Sequence, residues 1–294
     1  MTPVLEVVIV SHGAGDLLRS CLHSLGEHPP SVPMRVTVVD SGSADDTPDL
    51  VENEFPEVRL FRLGNVGFSA ANNLVLAESD NPGASPFYLL LNPDTEVYEG
   101  TLDAALARLE ANPGVGMVGV RLVTPDGGFD HASKRAFPTP LSALAHFTGL
   151  GRLPGAPDRL SQYRATWLEE DEAGEVEAIN GAFMMVRRES IAEVGPLDEG
   201  YWLYMEDLDW CRRFTEAGWK VFYEPAGEAL HVKGGSSPAR RRPRQEIAFH
   251  RGMGRFYRRF DAPGSPGIVN LAVYVGIAAK LAASLLISFV ERLR

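Results

Sequence analysis

The sequence predicts an α/β fold in which a mostly parallel β-sheet is flanked by helices. Short apolar runs rich in β-branched residues alternate with segments of helical periodicity, which is typical of successive βαβ units. One run, residues 87–92, is wholly apolar up to Asn92, as expected of a strand that is covered on both faces. Polar side chains follow several strand ends, where open α/β sheets bind ligands. These observations predict a ligand site at the carboxyl edge of the sheet.

The elements can be assigned in chain order from the hydrophobic pattern. We expect strands over residues 7–11, 36–40, 58–63 and 87–92, helices over residues 16–25, 46–54, 68–78 and 102–109, and a further apolar segment over 115–123. Residues 124–177 contain many Pro, Gly and charged residues, so we expect an insertion or lid over the active-site face. Regular structure should resume over residues 178–187. A helix should then follow residues 201–205 and end at Gly218, before a last short strand over 221–223.

Composition limits the classes of protein to which the chain can belong. Its 294 residues can bury a sizeable core, and 45% hydrophobic and 23% charged residues are ordinary for a globular protein. The net charge of −11 argues against nucleic-acid binding, and two cysteines are too few for a disulfide framework, which fits a reducing cytosol. Glu6 interrupts the first apolar run, so we interpret that run as a strand rather than a signal peptide.

Two polar loops follow predicted strands in the first quarter of the chain. In the first loop Asp40 ends a strand and Gly42 lies among small residues, so backbone N–H groups can approach a ligand while the carboxylate binds a base or sugar. The second loop contains Asn65, Gly67 and Asn72, but it lacks the full dinucleotide-binding pattern. The first loop taken alone fits an ordinary polar strand-to-helix connection with an N-cap equally well.

The wholly apolar strand ends on an amide and a carboxylate, Asn92 and Asp94, with one proline between them. Oxygen-bearing side chains at this position can address a hard cation and the diphosphate that it carries. The alternative is a strand that ends in an Asx-type turn, in which Asp94 caps the following segment.

Three acids, Glu206, Asp207 and Asp209, open the helix that follows the aromatic residues 201–205. Acids in a first turn are stabilised by the helix dipole, so capping is one interpretation. The apolar lead-in favours another, because a desolvated carboxylate has the raised pKa that a general base requires. His231 follows the last predicted strand and is a candidate ligand, although a lone His is usually structural.

Six segments of the chain occur in the order that a known family shows. They are VVDSGS (38–43), GNVGFSAAN (64–72), LLLNPDT (89–95), NGA (180–182), YMEDLD (204–209) and the later His231. With them the chain, from about residue 7 to residue 237, resembles the glycosyltransferase family 2 enzymes, and among these the bacterial rhamnosyltransferase-like group. One segment alone would be weak evidence, whereas six in order are specific.

The resemblance implies a GT-A fold over residues 1–237, a nucleotide-diphospho-sugar donor, a Mg²⁺ or Mn²⁺ ion, and transfer with inversion at the anomeric carbon. It implies that Asp207 is the catalytic base, and that Glu206 and Asp209 orient it or bind acceptor hydroxyls. It implies metal ligation by Asp94, with His231 completing the metal or diphosphate site. The implied nucleotide-sugar contacts are Ser11, Asp40, Gly42, Asn65, Gly67, Asn72, Asn92 and Gly181. Asn92 departs from the family's Asp-x-Asp pattern, so we expect it to contact ribose or diphosphate rather than to bind the metal strongly.

The C-terminal residues 238–294 are expected to form a basic and apolar helical extension. Residues 233–259 contain nine Lys or Arg and the single acid Glu246, and residues 244–260 have the pattern of a helix. Residues 268–290 are long enough to span a bilayer, but Lys280 near the middle makes spanning costly. We therefore expect an amphipathic or interfacial helix pair that contacts the membrane through residues 244–290. The alternative is packing against the catalytic domain or a partner in a homodimer.

The sequence thus predicts an inverting glycosyltransferase of cell-surface polysaccharide synthesis. The expected donor is dTDP-rhamnose and the expected acceptor a glycan or polyprenyl-diphosphate-linked glycan, used in the cytoplasm or at the inner face of the plasma membrane. A UDP-hexose or UDP-N-acetylhexosamine donor and a non-catalytic nucleotide-sugar-binding protein are the alternatives. A nucleotidyltransferase would carry a basic glycine-rich loop after the first strand, and residues 11–16 contain no Lys or Arg.

Overall fold

Strands and helices alternate along the first half of the chain. The structure, a computed structural model, describes residues 4–138, 165–232 and 243–292. The first elements are β1 (Leu5–Ser11), α1 (Gly15–Glu27), β2 (Met34–Ser41), α2 (Thr47–Glu54), β3 (Arg59–Leu63), α3 (Phe68–Leu76), β4 (Phe87–Leu91), β5 (Thr95–Val97), α4 (Thr101–Ala111) and β6 (Val115–Val123). The strands and helices that the periodicity predicts in this half are confirmed, with small shifts at their ends.

The second half contains shorter strands and longer helices. They are β7 (Lys134–Arg135), β8 (Gly174–Val176), β9 (Ala178–Ile179), β10 (Phe183–Arg187), α5 (Arg188–Val194), α6 (Glu206–Glu216), β11 (Lys220–His231), α7 (Pro243–Phe260) and α8 (Gly267–Arg292). Part of the expected insertion, residues 139–164, and the expected domain boundary after residue 237 lie outside the described residues.

Nine of the described strands form one sheet in the order β3-β2-β1-β4-β10-β6-β11-β5, with β8 also paired to β11. The strands β3, β2, β1 and β4 are mutually parallel, so their carboxyl ends share one edge. The sheet is mixed beyond β4, because β10 runs antiparallel to both β4 and β6. Phe183 at the start of β10 pairs with Leu91 at the end of β4. This reversal brings the turn before β10 to the edge where β1 to β4 end.

Each face of the sheet carries its own hydrophobic cluster. Along β1, Val7 and Ile9 belong to one cluster, and Val8 and Val10 belong to the other, as the two-residue period of a strand requires. Side chains of α1, α2 and α4 complete the first cluster, and those of α3, α5, α6 and α7 complete the second. The site at the carboxyl edge is therefore supported by helices on both faces.

The last strand is much longer than the predicted segment 221–223. β11 runs from Lys220 to His231 and pairs in parallel with β6 along most of its length. Its register shifts between Glu224 and Glu228, a stretch that contains Pro225 and Gly227. Those residues disfavour a regular strand and hide its continuation from the sequence pattern. As a result, His231 lies at the end of a sheet strand rather than in a loop.

The described parts of the expected insertion are anchored to the sheet. β7 pairs antiparallel with β9, so that Lys134 is opposite Ile179 and Arg135 is opposite Ala178. The Nζ atom of Lys134 donates hydrogen bonds to the carbonyl oxygens of Ala165, at 3.2 Å, and Leu168, at 2.5 Å. The described parts of the expected insertion therefore form regular structure that is joined to residues 178–179.

The two C-terminal helices differ in their surroundings. α7 packs on the residues that precede α6: Gly252 lies against Tyr204 and Met205, and Arg255 forms an ion pair with Asp198 at 2.9 Å. α7 and α8 are the two helices that the sequence predicts over residues 244–290, and α8 is one continuous helix. Of the described helices it alone is long and apolar enough to cross a membrane, over Gly267–Phe289 with a mean hydropathy of 1.9, and that stretch is not buried.

Candidate active site

The carboxyl ends of β1, β2 and β3 form a polar corner around Asp40. Asp40 is buried and accepts a hydrogen bond from the backbone N–H of Ser43 at 3.2 Å, and another from the Ser43 hydroxyl. Gly42 has a φ of +77°, and a Cβ atom on it would lie 2.7 Å from the backbone nitrogen of Asn65. Only glycine allows the loops after β2 and β3 to approach this closely.

Two other predicted donor-site residues, Ser11 and Asn72, have buried polar atoms. Ser11 ends β1 opposite Asp40 in the register, and its hydroxyl has no hydrogen-bond partner among the described residues. Asn72 lies in α3, where its amide nitrogen donates to the carbonyl of Phe68 at 3.0 Å. Its amide oxygen is also buried and has no partner in the described part of the chain. Buried polar groups without partners are costly and are common where a ligand completes the hydrogen bonds.

The loop that contains Gly67 is joined to the residues that precede the three acids. Gly67 has a φ of +91°, and an added Cβ atom would come within 2.4 Å of the Trp202 side chain. The N–H of Phe68 donates to the Trp202 carbonyl at 2.8 Å, and the hydroxyl of Ser69 donates to the Tyr201 carbonyl at 2.8 Å. The loop around Gly67 and residues 201–205, which are distant in sequence, therefore pack together as one surface.

Asp94 and His231 meet at the end of the sheet. Asp94 is buried, and its Oδ1 atom lies 3.7 Å from Nε2 of His231. The other ring nitrogen of His231, Nδ1, lies 3.3 Å from Oδ2 of Asp130, a buried acid that the sequence analysis did not identify. When Nδ1–H donates to Asp130, the lone pair of Nε2 is directed to the Asp94 side.

This donor set fits a divalent cation that is held partly by a substrate. A His that binds a metal usually donates its second ring N–H to a carboxylate, as His231 does to Asp130. The described residues contain no cluster of three or more His, Cys, Asp or Glu that could enclose a metal alone. Mg²⁺ needs no such cluster, because one or two protein ligands with diphosphate oxygens and water suffice. Asp94 and His231 would hold the cation, and half-buried Asn92 remains beside them for the donor.

Asp207 is held at the opening of α6 by three hydrogen-bond donors. Its Oδ2 atom accepts from Nη2 of Arg135 at 2.5 Å and from the N–H of Gly181 at 3.3 Å. Its Oδ1 atom accepts from the N–H of Leu208 at 2.8 Å. The turn lies directly against the acid, since a Cβ atom on Gly181 would be in van der Waals contact with the Asp207 Cβ at 3.5 Å. The carboxylate is thus fixed in place while part of it stays accessible.

The neighbouring Glu206 has a different environment. It is buried, and its Oε2 atom has no hydrogen-bond partner among the described residues. Burial, and then the negative charge of Asp207, raise the pKa of Glu206 to about 8. Burial therefore favours the protonated form of Glu206, whereas the neighbouring Asp207 is paired with a guanidinium.

Asp209 faces away from Asp207 and toward α7. It is fully buried and forms ion pairs with Arg213, at 2.8 Å, and with Arg259 of α7, at 3.2 Å. Its carboxylate joins α6 to α7 and has no surface to offer to acceptor hydroxyls. The expected role of Asp209 in acceptor binding is therefore not supported by its position.

The backbone before Glu206 adopts an unusual conformation. Tyr204 and Met205 have φ angles of 69° and 75°, in the left-handed region that side chains other than glycine rarely occupy. Such residues cost free energy and cluster at functional sites where the surroundings enforce them. Here they turn the chain so that α6 begins with Glu206 and Asp207 at the carboxyl edge.

The Asp94–His231 pair and Asp207 lie near each other at the carboxyl edge of the sheet. The N–H of Asn92 donates to the carbonyl of Ala182 at 3.0 Å, in the turn whose Gly181 contacts Asp207. Arg135, which holds Asp207, and Asp130, which holds His231, come from residues 124–138 and were missed because that segment has no periodicity. A basic residue and an acid five positions apart gave no recognisable signal in a stretch rich in charge.

The fold and the site define a class. A sheet that is parallel in its first half and mixed beyond, a polar corner at Asp40, a carboxylate–imidazole pair at Asp94 and an acid at the start of α6 are the arrangement of a GT-A glycosyltransferase.

Comparison with known proteins gives the family. The family model described as glycosyl transferase family 2 matches residues 6–194, and the chain belongs to this family. It is 33% identical over 258 residues to the N-acetylglucosaminyl-diphospho-decaprenol L-rhamnosyltransferase of Mycobacterium tuberculosis, covering 85% of this chain and 82% of that one. It is 26% identical to rhamnosyltransferase WbbL of Escherichia coli, covering 76% and 82% of the two chains. Both relatives are named as rhamnosyltransferases.

A solved structure supports the fold. The mannosyltransferase PcManGT from Pyrobaculum calidifontis, in complex with GDP-Man and Mn²⁺, superposes with a TM-score of 0.57 at 17% identity, and the match covers 99% of this chain and 76% of that one. The protein is therefore a glycosyltransferase that uses a nucleotide sugar, as the sequence analysis predicts.

Proposed function

We propose that the protein transfers rhamnose from dTDP-rhamnose, with inversion, to a hydroxyl of a polyprenyl-diphosphate-linked glycan. The observation that carries the proposal is the juxtaposition of the Asp94–His231 pair with Asp207 through the hydrogen bond between Asn92 and Ala182. One half of this site suits a diphosphate and its cation, and the other half offers a single accessible carboxylate. The names of the relatives supply rhamnose and the lipid-linked acceptor.

Asp207 acts as the general base in this proposal. Its carboxylate takes the proton of the acceptor hydroxyl while the oxygen attacks the anomeric carbon from the face opposite the leaving nucleoside diphosphate. Glu206 has the raised pKa expected of a base, about 8, but it suits this role less well because its side chain is buried and burial favours its protonated form. No covalent intermediate is required, since one displacement inverts the configuration.

The donor is bound along the carboxyl edge. Asp40 would contact the base, and the Gly42 and Gly67 loops would lie against the nucleotide, while the buried polar atoms of Ser11 and Asn72 complete their hydrogen bonds on the donor. Asn92 would contact the ribose or diphosphate. A Mg²⁺ or Mn²⁺ ion held by Asp94 and His231 would supply a Lewis acid for the charge that develops on the leaving diphosphate.

The acceptor would be reached at the cytoplasmic face of a membrane. α8 exposes large apolar side chains at both ends, with Ile268 79% and Phe289 60% exposed. Its start is fixed to α7 by a hydrogen bond of 2.6 Å from the Tyr257 hydroxyl to Asn270. An exposed apolar helix attached rigidly to the catalytic unit suits insertion into a bilayer beside a lipid-linked substrate. A homodimer formed through α8 is the competing proposal, and it would appear as a doubled mass in detergent-free solution.

A donor panel tests the proposed reaction. Release of nucleoside diphosphate is measured from dTDP-rhamnose, UDP-glucose, UDP-N-acetylglucosamine and GDP-mannose, each with Mg²⁺, Mn²⁺ or EDTA, and with a polyprenyl-diphospho-N-acetylglucosamine acceptor. We expect acceptor-dependent release of dTDP that EDTA abolishes. Preferential release of UDP would show that the donor is a UDP-sugar and would leave the proposed type of reaction unchanged. Full activity in EDTA would refute the role of the cation.

A further inference from the structure

The described part of the expected lid contains a short turn that touches both halves of the site. Residues 130–135, here called the bracing turn, connect Asp130, whose Oδ2 lies 3.3 Å from His231, with Arg135, whose Nη2 lies 2.5 Å from Asp207. The two contacts involve opposite ends of one six-residue segment. Asp130 contacts His231, a proposed cation ligand, and Arg135 contacts Asp207, the proposed base.

The bracing turn is itself fixed by hydrogen bonds to β6. The N–H of Asp130 donates to the carbonyl of Leu122 at 2.8 Å, and the N–H of Leu122 donates to the hydroxyl of Ser133 at 3.0 Å. The same hydroxyl donates to the carbonyl of Asp130 at 2.6 Å. Ser133 therefore closes the turn and joins it to a central strand of the sheet.

Both contact residues are buried, so their contacts are not surface ion pairs. Asp130 is 1% exposed and Arg135 is 8% exposed. Arg135 also donates through the same Nη2 atom to the carbonyl of Ile179, in the strand that leads to Gly181. A guanidinium shared between a carbonyl and a carboxylate in a buried site fixes the direction of both.

We propose that the bracing turn positions both halves of the active site, with Asp130 orienting His231 and Arg135 orienting Asp207. The inference rests on the proposed function, because it assigns His231 to a divalent cation and Asp207 to the acceptor proton. Asp130 holds the ring so that Nε2 faces Asp94. Arg135 holds the Asp207 carboxylate against Gly181, and neither residue needs to touch a substrate.

The two halves of the proposal predict different changes, one in the affinity for Mn²⁺ and one in kcat. Asp130→Asn keeps the size of the side chain but removes the carboxylate that binds the Nδ1–H group of His231. We expect the Kd for Mn²⁺, measured by electron paramagnetic resonance with saturating dTDP or UDP, to rise 10–100-fold, as is typical when such a partner is lost. At saturating Mn²⁺ the kcat should recover. Asp126→Asn is the matched control and should change neither quantity. Asp126 is an exposed acid a few residues before the bracing turn, and it accepts a hydrogen bond from the Thr124 hydroxyl.

Arg135→Gln should affect the other half. We expect kcat to fall on the order of 100-fold, the size of effect that a displacement of about 1 Å at a reacting group produces. The KM for the donor and the Kd for Mn²⁺ should stay within about twofold of the wild type. Arg135→Lys should restore part of kcat because an ammonium can still donate to Asp207. Arg19→Gln, which removes a surface Arg paired with Glu54, is the matched control.

Ser133→Ala tests whether the turn acts as one unit. We expect it to weaken Mn²⁺ binding and to lower kcat together, each by less than the direct substitutions do. The proposal would be overturned if Asp130→Asn and Arg135→Gln each lost both properties equally with a lower melting temperature, or if they matched their controls. Failure of the proposed function is distinguishable, because the wild type would then release no nucleoside diphosphate while the Mn²⁺ titrations remain readable.

Discussion

Glu206→Gln should make the protein more stable at neutral pH, because the wild-type side chain is buried in a place that disfavours its charge. Burial and the charge of Asp207 raise the pKa of Glu206 from 4.5 to about 8, and Arg135 and Asp209 also face it. The folded state therefore binds a proton that the unfolded chain releases between these two pH values. Across that window the stability of the wild type falls as the pH rises, and above it the penalty is constant.

The size of the effect follows from the pKa of the unfolded chain. At about pH 7 the cost is the free energy of keeping a proton on a group whose pKa is 4.5 when unfolded, which is about 3 kcal/mol at 1.36 kcal/mol per unit. Gln has the same shape and no charge to lose. We expect the variant to gain about 3 kcal/mol near pH 7, a difference that shrinks toward zero near pH 4.5.

Urea denaturation at several pH values, followed by tryptophan fluorescence, measures this difference directly. Glu216→Gln is the control, since Glu216 lies in the same helix but is exposed and pairs with Arg212, so its effect should be below about 1 kcal/mol at every pH. The reasoning would be refuted if Glu206→Gln were less stable than the wild type at neutral pH, or if its advantage did not depend on pH.

Three further predictions concern the donor loop, the cation and the last helix. Gly67→Ala should lower the melting temperature and weaken nucleotide binding in calorimetry, because its Cβ would clash with Trp202, whereas Gly26→Ala, with open space in α1, should be neutral or stabilising. Asp94→Asn should raise the Mn²⁺ concentration needed for half-maximal activity at least tenfold, and an unchanged Mn²⁺ titration would contradict its role. A stop codon before Gly267 should abolish flotation with anionic liposomes while leaving transfer to a water-soluble acceptor intact; flotation equal to that of the full chain would exclude α8 as the membrane contact.

The sequence predicts most of the donor side because its residues follow regular elements. Asp40 lies at the end of β2 and Asp94 shortly after β4, both of which have clear apolar runs, and parallel strands bring such ends to one edge. Asp130 and Arg135 could not be found in this way. Their segment forms only a two-residue strand, and their partners His231 and Asp207 are 101 and 72 positions away.

The three acids of α6 show how helix geometry separates residues that the sequence presents together. Successive residues of a helix differ by about 100° around the axis, so Asp209 lies about 200° from Asp207. Asp207 faces Arg135 and Gly181, and Asp209 consequently faces α7, where Arg259 binds it. Glu206 is the first residue of α6, and its buried position follows the left-handed turn at Tyr204 and Met205. No periodicity in the sequence reveals such a turn.

The most direct test of the central claim is the transfer rate of Asp207→Asn with the donor that the wild type uses. Loss of the proposed base should reduce transfer by a factor of about 10² to 10⁴, while the Kd for the donor, measured separately by calorimetry, stays within about twofold of the wild type. Transfer close to the wild-type rate would contradict the assignment of Asp207 as the base. Loss of donor binding together with activity would instead assign Asp207 to the donor site.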